Sequence, residues 1–128
     1  MVLARYPIRA SVPVSDLDRA RAFYSDVLGL ELAEEIEGEA LHYRCGEGTW
    51  LEVFRTRSGV GCGHTEAGFG VNDIEEVVAA LRERGVVFEE YDLGAGVVTV
   101  AGIVEMGGHK AAWFTDPDGN VIGIFEED

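Results

Sequence analysis

Apolar positions along this chain change period in a regular way. Ile8, Ala10, Val12 and Val14 alternate with Arg9, Ser11 and Pro13, the spacing of a strand that buries one face. From Leu17 the period lengthens: Leu17, Ala20, Tyr24, Val27 and Leu28 recur at helical intervals. Strand-like runs return over 30–36, 40–45 and 49–55, broken by turn signals near Gly38 and Gly46. The succession then begins again. Ala67, Phe69 and Val71 alternate with Glu66, Gly68 and Gly70, and Ile74, Val77, Val78 and Leu81 take helical spacing. Further strands are expected over 86–91, 97–100, 111–115 and 121–125, the last two joined by the turn sequence DPDGN.

The two halves are therefore repeats. Residues 14–32 read VSDLDRARAFYSDVLGLEL and residues 71–88 read VNDIEEVVAALRERGVVF. Asp16 and Asp73 stand where an N-cap must accept first-turn N–H groups, and Glu76 stands where a capping box would place its second member. Gly29 and Gly85 stand where each helix must end in left-handed backbone. This order predicts an α+β fold of two tandem βαβββ modules, residues 1–58 and 63–128, within a single domain of 1–128. The glycine-rich stretch 58–64 is the hinge between them.

A length of 128 residues suits one domain, and 47% hydrophobic with 27% charged residues is ordinary for a globular chain. A net charge of −14 repels phosphate backbones and anionic lipid, so neither nucleic acid nor membrane is an expected partner. No apolar run reaches the roughly 20 residues of a membrane span, and the N-terminus does not read as a secretory signal, so a cytoplasmic location is expected. Cys45 and Cys62 are too few for a disulfide framework and are expected to be reduced and structural. There is no dinucleotide fingerprint, phosphate loop or nucleophile elbow.

VSDLDRARAFYSDVLGLEL followed by WFTDPDGNVIGIF resembles the vicinal oxygen chelate superfamily, the glyoxalase, bleomycin-resistance and dioxygenase-like proteins, over nearly the whole chain. The resemblance implies a mixed, barrel-like eight-stranded sheet around one cavity, a small organic molecule as partner and a homodimer. It also implies four metal-ligand positions, one on the first and one on the last strand of each module. Here these carry Arg9, Glu52, Glu66 and Gly123. Arginine has no lone pair to give and glycine no side chain, so no intact metal site and no cofactor are expected. Glu52 and Glu66 alone would hold a divalent ion only weakly.

What remains is a candidate pocket. Arg9, Glu52 and Glu66 are expected to meet as a charged cluster, which either replaces a lost metal or orients an anionic or enol-forming ligand with Glu52 or Glu66 as general base. Trp50 and Phe54 alternate onto the face of Glu52 and are expected to wall the pocket. His42 shares a face with Arg44, and either lines the ligand site or is an ordinary exposed or core histidine. His109, with Met106, follows or flanks two glycines at the cavity mouth or in a plain turn. Trp113 and Phe114 point to opposite faces, and one of them lines the cavity. Three functions follow: a metal-independent small-molecule binder with or without acid–base catalysis, a metal-dependent lyase, isomerase or dioxygenase, and a non-catalytic interaction module.

Overall fold

The computed structural model describes residues 3–57, 59, 61 and 63–126, so Ser58, Val60 and Cys62 of the expected hinge lie outside the described residues, as does the side chain of Met106. The chain forms β1 (Ala10–Val14), α1 (Leu17–Arg21), β2 (Glu31–Ile36), β3 (Ala40–Arg44), β4 (Trp50–Arg55), β5 (Thr65–Val71), α2 (Ile74–Glu83), β6 (Ile103–Met106), β7 (His109–Thr115) and β8 (Val121–Glu126). Two βαβββ modules are thus present. Each makes a four-stranded sheet with the same plan, β1-β4-β3-β2 and β5-β8-β7-β6, in which the first and last strands of the module run parallel. The edge strands β1 and β5 lie side by side, but the sheets stay separate and do not close into one eight-stranded sheet.

The caps act as the sequence requires. Asp16 accepts from the Arg19 N–H at 3.1 Å and Asp73 from the Glu76 N–H at 3.2 Å. The Ile74 N–H is taken by Glu126 from the end of β8, at 3.1 Å, so the last strand reaches back to close the start of α2. At its other end Gly85 adopts φ +95°, with the Gly85 N–H bonding Arg82 O and the Val86 N–H bonding Leu81 O, the paired bonds of a Schellman ending.

Two expectations are corrected. The first helix is not uniformly α: past Arg21 it widens into a π-helical turn over Ala22–Val27. The wider turn keeps two consecutive aromatics inward, Phe23 against Phe114 and Tyr24 against Tyr43. In the second module the runs 86–91 and 97–100 are not full strands. Phe88 bridges Phe114, and Asp92 bridges Val98. The edge strand of that sheet is Ile103–Met106, a stretch that the sequence reads as loop. Paired positive-φ turns cause this: Ala101 and Gly102 reverse the chain before β6, and Gly107 and Gly108 reverse it again into β7.

One core serves both modules. Val12, Leu41, Tyr43 and Val53 from the first sheet meet Phe114, Ile122 and Ile124 from the second, with Tyr24, Ile74 and Val78 from the helices between them. The DPDGN turn fastens the two halves. Asp116 is buried and accepts from Tyr24 Oη and Asn120 Nδ2, each at 2.8 Å, and from the backbone N–H groups of Asp118 and Asn120, each at 2.9 Å. Asn120, fully buried, also donates to Pro13 O of β1 at 2.6 Å. Asp118 accepts from Ser15 Oγ at 2.6 Å and pairs with Arg19 at 2.8 Å. Burial and the Asp116 carboxylate push the Tyr24 hydroxyl far above its ordinary pKa, so it remains a proton donor in this knot. No described helix is long and apolar enough to cross a membrane.

Candidate functional site

With Val12, Leu51, Val53, Leu41 and Tyr43 in the core, pleating sends the intervening residues of the first sheet to its opposite face. Strand register orders them in three rows. One row is Arg9, Trp50, Arg44 and Glu31. The next is Ser11, Glu52, His42 and Glu34, and the third is Pro13, Phe54, Ala40 and Ile36.

The middle row is joined throughout. Ser11 Oγ donates to Glu52 Oε1 at 3.1 Å, His42 Nε2 lies 3.0 Å from Glu52 Oε2, and His42 Nδ1 lies 3.2 Å from Glu34 Oε1. His42 is 12% exposed and Glu52 33%, so the imidazole is largely withdrawn from water while one carboxylate remains reachable. His42 is therefore neither a core residue nor a free surface one; its face is that of Glu52. The bulge in β2 between Leu32 and Glu34 is what carries Glu34 into register with it.

In the first row Trp50 lies between its cross-strand neighbours. The Arg44 guanidinium carbon is 4.8 Å and that of Arg9 5.9 Å from the indole ring centre. Arg44 also pairs with Glu31 at 3.3 Å. The expected ion cluster of Arg9, Glu52 and Glu66 is not formed. Arg9 precedes β1 and lies one pleat repeat from the Ser11–Glu52 pair, so it packs over Trp50 instead, and the partners of Glu52 are Ser11 and His42. Glu66 lies in the irregularity of β5 between Thr65 and Ala67. One of its carboxylate oxygens is buried, and its charge acts on the Tyr24 hydroxyl in the inter-module knot.

The matching face of the second sheet is aromatic. Phe114 is the core member of its pair, and Trp113 takes the other face, edge-on to Tyr91 at 5.5 Å and to Phe125 at 6.4 Å. Gly68 and Gly123 are paired beneath the Phe125 ring. A Cβ on Gly68 would come within 2.5 Å of Phe125 Cε2. One on Gly123 would come within 2.6 Å of Cε2 and Cζ of the same ring, and within 3.3 Å of Thr65 Cγ2. His109 is exposed at the tip of the β6–β7 hairpin, opposite Met106.

A cleft of about 540 Å³ opens between the modules, with Arg9, Cys45, Thr49 and Trp50 on one side and Gly68 and Gly70 on the other. Of the first row, Arg9 and Trp50 line it, and the Ser11–Glu52–His42 row lies outside the lining, one pleat further along the same face. Cys45, at its wall, is partly buried, and burial pushes its thiol pKa up, the condition of an unreactive structural cysteine. Sequence reasoning passed over Ser11, Glu34 and Phe125. Ser11 and Glu34 were recognisable only through register with Glu52 and His42, and Phe125 only through the two glycines it covers.

The four positions at which the resemblance implies a metal do not fit one. Arg9 has no lone pair to donate, and the place of a Gly123 side chain is filled by the Phe125 ring. The carboxylates of Asp73, Glu75 and Glu126 do gather within 4.8 Å, but at the outer end of α2, where Glu126 caps Ile74 and Glu75 pairs with Lys110 at 2.7 Å. Restoring a donor by Gly123→Glu is accordingly expected to cost about 1–3 kcal/mol through overpacking. Urea unfolding with and without nickel or manganese checks this; unchanged stability with a metal-dependent gain would contradict it.

The sequence model of the Glyoxalase/Bleomycin resistance protein/Dioxygenase superfamily matches residues 7–124. Among solved structures, a member of that superfamily from Sphaerobacter thermophilus is 26% identical with a TM-score of 0.72, covering 96% of this chain and 99% of its own. A lactoylglutathione lyase from Agrobacterium tumefaciens is 22% identical with a TM-score of 0.69, covering 94% and 92%. A glyoxalase/bleomycin resistance protein from Catenulispora acidiphila is 24% identical with a TM-score of 0.69, covering 94% and 97%. No functionally curated protein matches the chain.

Proposed function

The chain belongs to the glyoxalase/bleomycin resistance protein/dioxygenase superfamily, and from that premise we propose that it binds a small organic molecule between its two sheets and moves a proton on it with Glu52 and His42. The observation that carries this reading is the 3.0 Å contact of His42 Nε2 with Glu52 Oε2 inside the continuous row Ser11–Glu52–His42–Glu34. A carboxylate and an imidazole in contact, partly withdrawn from water, form a pair in which one group accepts a proton while the other stabilises the resulting charge. Ser11 fixes one oxygen of Glu52 and Glu34 fixes the far nitrogen of His42, so the pair is held in orientation. Trp50 and Phe54 on this sheet, with Trp113 and Phe125 on the other, supply apolar walls for an organic ligand. Glu66, whose charge acts on the Tyr24 hydroxyl, is assigned no step, and His109 at the hairpin tip is a contact only for a ligand that reaches the rim.

We also infer a homodimer from membership of this family, with Ile8, Val87 and Val100, the most exposed large apolar side chains among the described residues, as its candidate contacts.

Fragment binding followed by NMR tests the site. Small carbonyl-containing aromatics are expected to shift the ring signals of His42 and the indole signals of Trp50 and Trp113. Shifts confined to the outer face around α2 would overturn the proposal.

A further inference from the structure

The order of rows on the first sheet assigns a chemical class to the ligand. This inference rests on the reading of Glu52 and His42 just given and adds what the cleft beside them holds. The cleft wall carries a cation, Arg9, alongside Glu47 as the one acidic residue of the described lining. In a chain of net charge −14, Arg9 makes no ion pair among the described residues, whereas Arg44 in the same row is paired with Glu31 at 3.3 Å. Contact with the Trp50 indole fixes where the Arg9 guanidinium sits without neutralising it. Facing it across the cleft are Ala67, Gly68, Phe69 and Gly70, so that wall presents no charged side chain to a group bound at the guanidinium.

We propose that the cleft takes a small organic anion, a carboxylate or phosphate held by Arg9 beside Trp50, with its proton-exchanging centre over the Glu52–His42 pair. The strand geometry sets the ligand's dimensions. Arg9 and Ser11, like Trp50 and Glu52, are two residues apart on their strands, which separates the rows by about 7 Å. An anionic group and a reactive carbon or oxygen must therefore lie about 7 Å apart, the span of a substituted benzene ring. Guanidinium binds carboxylate and phosphate oxygens through paired N–H donors, so the anchor orients the ligand as well as attracting it. The acids of the middle row repel the same anionic group, which leaves one favourable direction for the ligand to lie: anion toward Arg9, neutral end toward Glu52 and His42.

Titration of the full-length protein with benzoate, phenylacetate and phenyl phosphate, and with the neutral benzamide and phenylacetamide, tests this through the Trp50 indole NMR signal. The anions are expected to bind, and the amides to bind at least about tenfold more weakly. Arg9→Gln is expected to lower anion affinity by about tenfold while leaving the amides unchanged, and Arg9→Lys to retain part of the loss, since it keeps the charge without the paired donors. Glu52→Gln is expected not to weaken anion binding. Preference among the three anions distinguishes a carboxylate from a phosphate substrate. Acids and amides binding alike, or Arg9→Gln binding the anions as tightly as the wild type, would overturn the anchor while leaving the cleft as a small-molecule site. No shift at Trp50 with any of the five compounds would overturn both.

Discussion

Asp116→Ala is expected to lower the unfolding free energy by about 3–5 kcal/mol. Asp116 is 4% exposed, and its carboxylate is the common acceptor for Tyr24 Oη, Asn120 Nδ2 and two backbone N–H groups. Alanine leaves these donors buried and unmatched, and each buried group without its partner costs about 1–3 kcal/mol. The side chain also spans the modules, since Tyr24 comes from the first helix and Asn120 holds Pro13 of β1. Asp118→Ala, two residues away, is expected to cost less, about 1–2 kcal/mol: its side chain is only 5% exposed, but its donors, Ser15 and the 48% exposed Arg19, can turn to water once the carboxylate is gone. Urea denaturation of both variants checks the contrast. Equal losses, or a loss near 1 kcal/mol for Asp116→Ala, would show that the knot does not join the modules.

Glu52→Gln is expected to slow proton exchange on a bound ligand by about 10²–10⁴-fold, the usual contribution of a positioned general base. The measurement is deuterium wash-in from solvent at the C–H beside the carbonyl of phenylacetone or phenylpyruvate, taken above the protein-free rate. Glutamine preserves the shape and can still accept from Ser11, so the fold and ligand binding are expected to persist. His42→Gln is expected to give a comparable loss, and the double variant little more than either single one, because groups acting as one unit are not additive. Equal rates in wild type and Glu52→Gln would remove this residue from proton transfer.

Much of the fold was legible because both modules obey local rules. Asp16, Asp73 and Gly85 cap where their chemistry requires, and alternation placed Glu52, Trp50 and Phe54 on one face. The second sheet was harder to read. Ile103–Met106 is short, and its strand character comes from pairing with β7 between two positive-φ turns rather than from its own alternation. The site was legible residue by residue but not in its pairings. Which face His42 occupied depended on its register with Glu52, and register is set by tertiary pairing. The direction of Glu66 was not legible for a related reason: a one-residue irregularity in β5 breaks the strict alternation that would set it. Gly123 appeared only as a missing donor, whereas the structure gives it a packing role under Phe125.

The central claim is that Glu52 and His42 act on a ligand directly, in a family fold whose metal positions are no longer suited to an ion. Titration with manganese tests it most directly, read as paramagnetic broadening of the His42 ring signals and the Ser11 amide. The account predicts that these signals persist at stoichiometric manganese, with broadening spread over exposed carboxylates. Selective loss of the His42 and Ser11 signals at one equivalent, abolished by Glu52→Gln, would contradict it and return the site to metal chemistry.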